Sequence, residues 1–402
     1  MKFHFRSQFV WFMWLLAVFV EGNNYTETDS ENASNFVTPP NTHSVGASTI
    51  SPSLTCLKGF TSDELSVFMV FARIVTPVVF GLILIIGFVG NLFVMIVVLA
   101  NAQMRNTTNI LIFSLAVADM AFIVICVPSA AIVYVTGKWP LGLSLCRVYY
   151  YSSYVSVYCS VYTLVLMSLD RFMAVVYPIQ CINMRTQKNT TIAVIITWTV
   201  VLITNTPLFL GAILVRGPPE GGESSCVTEY CTYSWLVNFD EKTNIARDNR
   251  HGGQMFFLLF FLFGYLFPFV IICLLYICLI LRLRCGPSSK MAHSAEAQRS
   301  KKRVTHLVVT VVIVFGISWL PIHAIFLIQY YAKDPETDLF RIIQILGNCL
   351  AYGNSSINPI LYAFLSEKFR TAFLRLIRSR KSNPRTERLK QKSFENATAI
   401  AT

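Results

Sequence analysis

Seven apolar stretches divide the chain, at 71–100, 108–134, 144–176, 191–215, 255–281, 304–330 and 340–364. Each exceeds the roughly 18–20 residues that a helix needs to cross a hydrocarbon core about 30 Å thick. A soluble protein with about a quarter of its residues charged does not produce seven such lengths in succession. Here charged residues are 13% and hydrophobic ones 54% of 402. The expected fold is an all-α membrane protein, a seven-transmembrane helix bundle over 71–364.

Charge orients the bundle. The segment 282–303 carries Arg282, Arg284, Lys290, Arg299, Lys301, Lys302 and Arg303 against Glu296 alone, and the segment after Phe364 holds ten bases against three Glu. Residues 23–70 contain only Lys58. Basic segments stay cytoplasmic, so the amino terminus is expected outside and the carboxyl terminus inside. The +12 formal charge is therefore a topology signal, and no basic groove interleaved with aromatics argues for nucleic acid. A shorter apolar stretch at 9–20, preceded by Lys2, His4 and Arg6, has the build of a signal peptide over 1–22; an uncleaved anchor is the alternative. Segment 23–70 is expected to be disordered and glycosylated, with sequons at Asn24 and Asn32. Asn106, Asn189 and Asn396 also fit the sequon but fall on the cytoplasmic side.

Of eleven cysteines, four map to the oxidising exterior, where disulfides persist: Cys56, Cys146, Cys226 and Cys231. A Cys146–Cys231 bridge pins the loop between helices four and five across the mouth of helix three, with Cys226 as the alternative partner. The even count leaves Cys56 and Cys226 for a second bridge.

Ionisable residues inside membrane helices are rare and mark function. Asp119 lies mid-run in SLAVADMAFIV, where it knits helices together, binds a cation, or changes protonation as the bundle rearranges. On helix three, Ser153, Val157, Ser160, Leu164 and Arg171 share one face. Phe315, Trp319 and His323 do so on helix six, beside Pro321, which should kink it. Asn354, Asn358 and Tyr362 do so on helix seven, beside Pro359. Asp170 and Arg171 stand together in LVLMSLDRFMAVVYP, and buried charges are costly unless paired.

These residues bring the chain to a known pattern. Over roughly 70–378 it resembles the rhodopsin-like G-protein-coupled receptors: Gly90-Asn91, Leu115-Ala116-Val117-Ala118-Asp119, Cys146, Asp170-Arg171, Trp198, Pro268 and Tyr276, Phe315 with Trp319-Leu320-Pro321, and Asn358-Pro359-Ile360-Leu361-Tyr362 fall in order on seven helices. The resemblance implies that Asp170 holds Arg171 at rest. On activation Arg171 meets Tyr276 and Tyr362 and opens a site for a heterotrimeric G protein, a bistable switch. Phe315, Trp319, Pro321 and Pro359 are the moving parts. Phe172 stands where tyrosine is usual. The inner start of helix six offers Lys301-Lys302-Arg303 and no acid to lock Arg171, which predicts some basal activity. The resemblance also gathers Asp119, Ser160, Asn354 and Asn358 around an allosteric sodium ion, with Trp319 as floor; no other cofactor is implied.

The residues also limit the ligand. Helix seven has no lysine for a retinal Schiff base, Ser153 stands where amine receptors keep an aspartate, and the amino segment is too short for a large ligand-binding ectodomain. The loop of roughly 40 residues between helices four and five suits a peptide across an open mouth. VVIVFGISWLPIH, LAYGNSSINPILYAFLSEKFR, YTLVLMSLDRFMAVVYPI and NAQMRNTTNILIFSLAVAD resemble galanin and allatostatin-A receptors, implying an extracellular neuropeptide as ligand and the inhibitory class of G protein as partner. Somatostatin, opioid or kisspeptin types are the alternative. His323 coincides with a pocket histidine of galanin receptors, and a packing histidine is its plainer reading. By face and depth Tyr134, Trp139, Ser153, Tyr154, Gln329 and Gln344 join it, offering hydrogen bonds and ring faces to an amidated or aromatic-tipped peptide.

After helix seven, SEKFRTAFLRLIRSRK sets Phe369, Phe373, Leu376 and Ile377 opposite Lys and Arg, an interfacial helix over 365–378 lying on anionic lipid. The tail, 379–402, carries Ser379, Ser382, Thr386, Ser393 and Thr398, which phosphorylation by receptor kinases would turn into an arrestin signal. No metal-ligand cluster, nucleophile elbow or phosphate loop points to an enzyme, no paired half-repeats point to a transporter, and no charged ring points to a channel. The expected location is the plasma membrane.

Overall fold

The computed structural model describes residues 71–101, 104–217, 228–239, 246–285, 295–332, 337–365 and 369–371. Expectations for the signal peptide, Asn24, Asn32, Cys56, Cys226 and the tail lie outside these residues. Seven long helices carry the fold: α1 (Phe71–Ala100), α2 (Thr107–Thr136), α3 (Gly142–Val176), α4 (Gln187–Gly211), α5 (Arg250–Arg282), α6 (Ala295–Tyr331) and α7 (Asp338–Leu365). The first five, and α6 from Val309 to Tyr331, are long and apolar enough to cross a membrane. Helix α7 is as long, but Asn348, Asn354, Ser355, Ser356 and Asn358 make one side of it polar.

The helix starts follow local chemistry. Asn106 caps α2 by accepting from the Asn109 amide at 3.0 Å, and Thr186 caps α4 by accepting from the Asn189 amide at 3.2 Å. Such oxygens satisfy amides that have no partner within the helix. Pro268 in α5 has no N–H to offer the preceding turn, and that turn, Leu262–Leu266, is a π-turn. It carries Tyr265, whose hydroxyl donates to the Gly316 carbonyl of α6 at 2.9 Å.

Helix α3 runs through the centre, packed against α2, α4, α5 and α6. Apolar burial does not distinguish one helix from another in lipid, so close approach and hydrogen bonds set the packing. Trp198 of α4 donates to Ser114 of α2 at 2.9 Å, and the Ser114 hydroxyl lies 3.3 Å from that of Thr163 on α3. Asn91 of α1 donates to the Ser355 carbonyl of α7 at 2.9 Å. That approach needs Gly90: a Cβ there would lie 2.8 Å from Pro359 Cβ.

Two small antiparallel hairpins join α4 to α5: β1 (Ala212–Gly217) with β2 (Thr228–Tyr233), and β3 (Val237–Phe239) with β4 (Ala246–Asp248). They correct the expectation that helix four continues to 215. The run AILV is apolar whether helical or extended, and here its backbone bonds go to β2, with Leu214 opposite Cys231. The sulfurs of Cys231 and Cys146 are bonded, across 85 residues of chain.

Candidate functional site

At the end of the bundle opposite the disulfide, Asp170 and Arg171 of α3 form a buried ion pair, with Arg171 9% exposed. Arg171 Nε donates to Asp170 Oδ2 at 3.1 Å. The Thr108 hydroxyl of α2 donates to the same oxygen at 3.3 Å and accepts from the guanidinium. Arg185, after α3, donates to the other carboxylate oxygen at 3.0 Å. The carboxylate is thus held from two helices and a loop, which is what a buried charge requires. Tyr276 of α5 is buried nearby, with Ser168 and Arg171 as polar neighbours. The ring of Tyr362 on α7 stacks on Phe369 at 5.8 Å, tying α7 to the segment that follows it.

Mid-bundle, Asp119 is 1% exposed and accepts from Asn358 Nδ2 at 2.8 Å. Ser160 and Ser355 face the same carboxyl. Its second oxygen, with the side-chain oxygens of Asn354, Asn358 and Asn91, is buried without a hydrogen-bond partner among the described residues. Buried oxygens normally find a partner, and a carboxylate with Asn358, Ser160 and Ser355 beside it offers the oxygen ligands that suit a hard cation. The Trp319 ring lies toward the other end, 6.1 Å from Phe315 and 6.4 Å from Phe122.

Toward the disulfide end lies a buried cluster of aromatic rings. His323 is 1% exposed, with no hydrogen-bond partner for either ring nitrogen among the described residues, and it lies 4.5 Å from Phe260, 5.3 Å from Tyr265 and 6.3 Å from Trp319. Tyr154 meets Phe260 at 4.8 Å and Phe256 at 5.4 Å, so Phe260 joins it to His323. Gln344 and Gln329 bond across α7 and α6 at 3.4 Å.

The other three candidates have partners of their own, and Trp139 reaches Tyr154 through the rings of Tyr149, Tyr150 and Tyr233. The Tyr134 hydroxyl accepts from Asn348 at 2.7 Å, near α1. Ser153 is bonded back to the Tyr149 carbonyl at 2.7 Å, and Trp139 is buried with Nε1 on the Gly142 carbonyl at 2.9 Å. Sequence reasoning missed Tyr233 and Trp235, whose rings stack at 4.6 Å and reach Phe256. The available signal was the period of two from Cys231 to Tyr233, which puts both on one face of a strand. It also missed Thr108 and Arg185, for which sequence carries no signal.

The family model described as 7 transmembrane receptor (rhodopsin family) matches residues 90–362. The chain belongs to this receptor family. The receptor is 42% identical over 304 residues to the Allatostatin-A receptor of Bombyx mori, covering 75% of this chain and 79% of that one. It is 36% identical over 302 residues to human Galanin receptor type 1, covering 74% and 80%. It is 33% identical over 329 residues to the Galanin-like G-protein coupled receptor npr-9 of Caenorhabditis elegans, covering 76% and 73%. It is thus a multi-pass membrane receptor of a family that is not one of enzymes.

Proposed function

We propose that this receptor binds a neuropeptide of the galanin or allatostatin-A type at the disulfide end and passes the signal to a heterotrimeric G protein of the inhibitory class at the Arg171 end. The single observation carrying this reading is the identity with relatives named for those two ligands over about three quarters of the chain. The aromatic cluster around His323 and Tyr154 supports it, since ring faces beside an imidazole with no hydrogen-bond partner among the described residues suit a peptide tip. The receptor sits in the plasma membrane, with the amino terminus outside and glycosylated at Asn24 and Asn32. The amphipathic segment after α7 lies on inner-leaflet lipid, and the phosphorylated tail recruits arrestin. Expressed receptor should respond to galanin-like or allatostatin-like peptides by nucleotide exchange on a G protein. Silence to both, with a response to a somatostatin, opioid or kisspeptin-type peptide, overturns the ligand assignment.

The oxygens about Asp119 fit a sodium ion, held by Asp119, Ser160, Asn354 and Asn358. An ion that prefers one arrangement of the bundle must weaken a ligand that prefers the other. Asp119→Asn removes the charge and keeps the size, so it should abolish the effect of sodium on agonist affinity. Sodium dependence that survives in this variant refutes the ion assignment.

A further inference from the structure

Helix α6 ends with its last carbonyls directed at the start of α5. Such carbonyls have no partner within the helix and carry partial negative charge. Arg250 Nε donates to the Tyr330 carbonyl at 3.0 Å, and its Nη2 donates to those of Tyr331 at 3.2 Å and Ala332 at 2.6 Å. Gln254 Nε2 adds a second bond to the Tyr330 carbonyl at 3.0 Å. Between these two residues Gly253 leaves room for the Tyr330 ring, because a Cβ there would fall 2.0 Å from Tyr330 Cε1. The ring then stacks on Phe257 at 5.1 Å, and Phe257 meets Phe326 of α6 at 4.6 Å. Positions 250, 253, 254 and 257 form one face of α5.

We propose that this face is a fastener that makes the disulfide ends of α5 and α6 a single wall of the ligand site, with Arg250 as a positioning residue for agonist action. The same two helices carry Phe260, Tyr265, Trp319 and His323 further along. A ligand that touches both helices finds them already in register, and the cost of ordering them is not charged to binding. A planar fork holds its donors in fixed directions toward several carbonyls, whereas a lysine ammonium, though it has three donors, is a point charge on a flexible stem. Arg250 is exposed, so water screens its charge, and the fastener acts through geometry.

The first test uses no ligand and so stands apart from the peptide assignment. Spin labels on unnatural side chains replace Met255 and Ile328, which are 37% and 47% exposed, in the full-length receptor in lipid nanodiscs. Arg250→Ala should broaden the distribution of distances between them, Arg250→Lys should broaden it less, and Gly253→Ala should shift its mean by displacing Tyr330. At matched surface density Arg250→Ala should also weaken agonist potency by roughly fivefold, with the maximal response unchanged. An unchanged distribution overturns the fastener whatever the potency does. A broadened distribution with unchanged potency overturns the positioning role. If Arg250→Ala does not reach the surface, Gln254→Ala, which removes one bond, is judged by the same two readouts.

Discussion

Receptor carrying Arg171→Ala, displayed at normal surface density, is expected to drive no agonist-stimulated nucleotide exchange above background. The geometry separates this effect from collapse of the fold. Removing one partner of a buried ion pair usually destabilises because it strands the other charge. Here Asp170 keeps Arg185 at 3.0 Å and Thr108 at 3.3 Å, so the contact between α2 and α3 survives. What disappears is the cation itself, which Asp170 and Thr108 engage in this structure. The reciprocal change, Asp170→Ala, leaves the guanidinium without its carboxylate and should raise exchange in the absence of ligand. Full exchange by Arg171→Ala at matched surface density would remove Arg171 from the signalling path. An Asp170→Ala variant as quiet as the parent would mean that the ion pair does not hold the resting state.

Sequence reading reached the parts of this molecule set by short-range rules. Seven helices follow from run length, and the polar stripes on α3, α6 and α7 follow from the helical period. Both break down where information comes from across the fold. The run after Gly211 is apolar in either conformation. Gly211 before it and Gly217-Pro218 after it were the local marks of a short strand, but the partner strand that fixes it begins at Thr228. At the end of the bundle opposite the disulfide, adjacency made the Asp170–Arg171 pair readable. Thr108 and Arg185 lie 62 and 15 residues from Asp170, and nothing in their own neighbourhood announces the contact. The Gly252-Gly253 pair at the head of α5 was readable as a close backbone approach, though not as the seat of Tyr330. The Cys146–Cys231 bridge spans 85 residues and was still readable, because cysteine on the oxidising side announces itself; a threonine or arginine does not.

The bridge between Cys146 and Cys231 should have the second large effect. It closes a loop of 85 residues, a restraint worth about 4–5 kcal/mol in the chain-entropy model. More specifically, it fixes β2 against α3, where the Tyr150 hydroxyl donates to the Cys231 carbonyl at 3.0 Å. Two residues on, Tyr233 places its ring 4.5 Å from Tyr150, 4.6 Å from Trp235 and 5.3 Å from Phe256. The loop therefore supplies part of the aromatic cluster, and the bridge holds that part in register. Cys231→Ser should lower peptide affinity by about two orders of magnitude, near 3 kcal/mol, measured on the fraction of receptor that reaches the surface. Tyr233→Phe, which keeps the ring stack and loses only a hydroxyl, should bind almost as the parent does. Tyr233→Ala, which empties the stack, should fall between the two. Wild-type affinity in Cys231→Ser would show that the bridge does not shape the binding site, and the ligand contacts would then have to come from the helices alone.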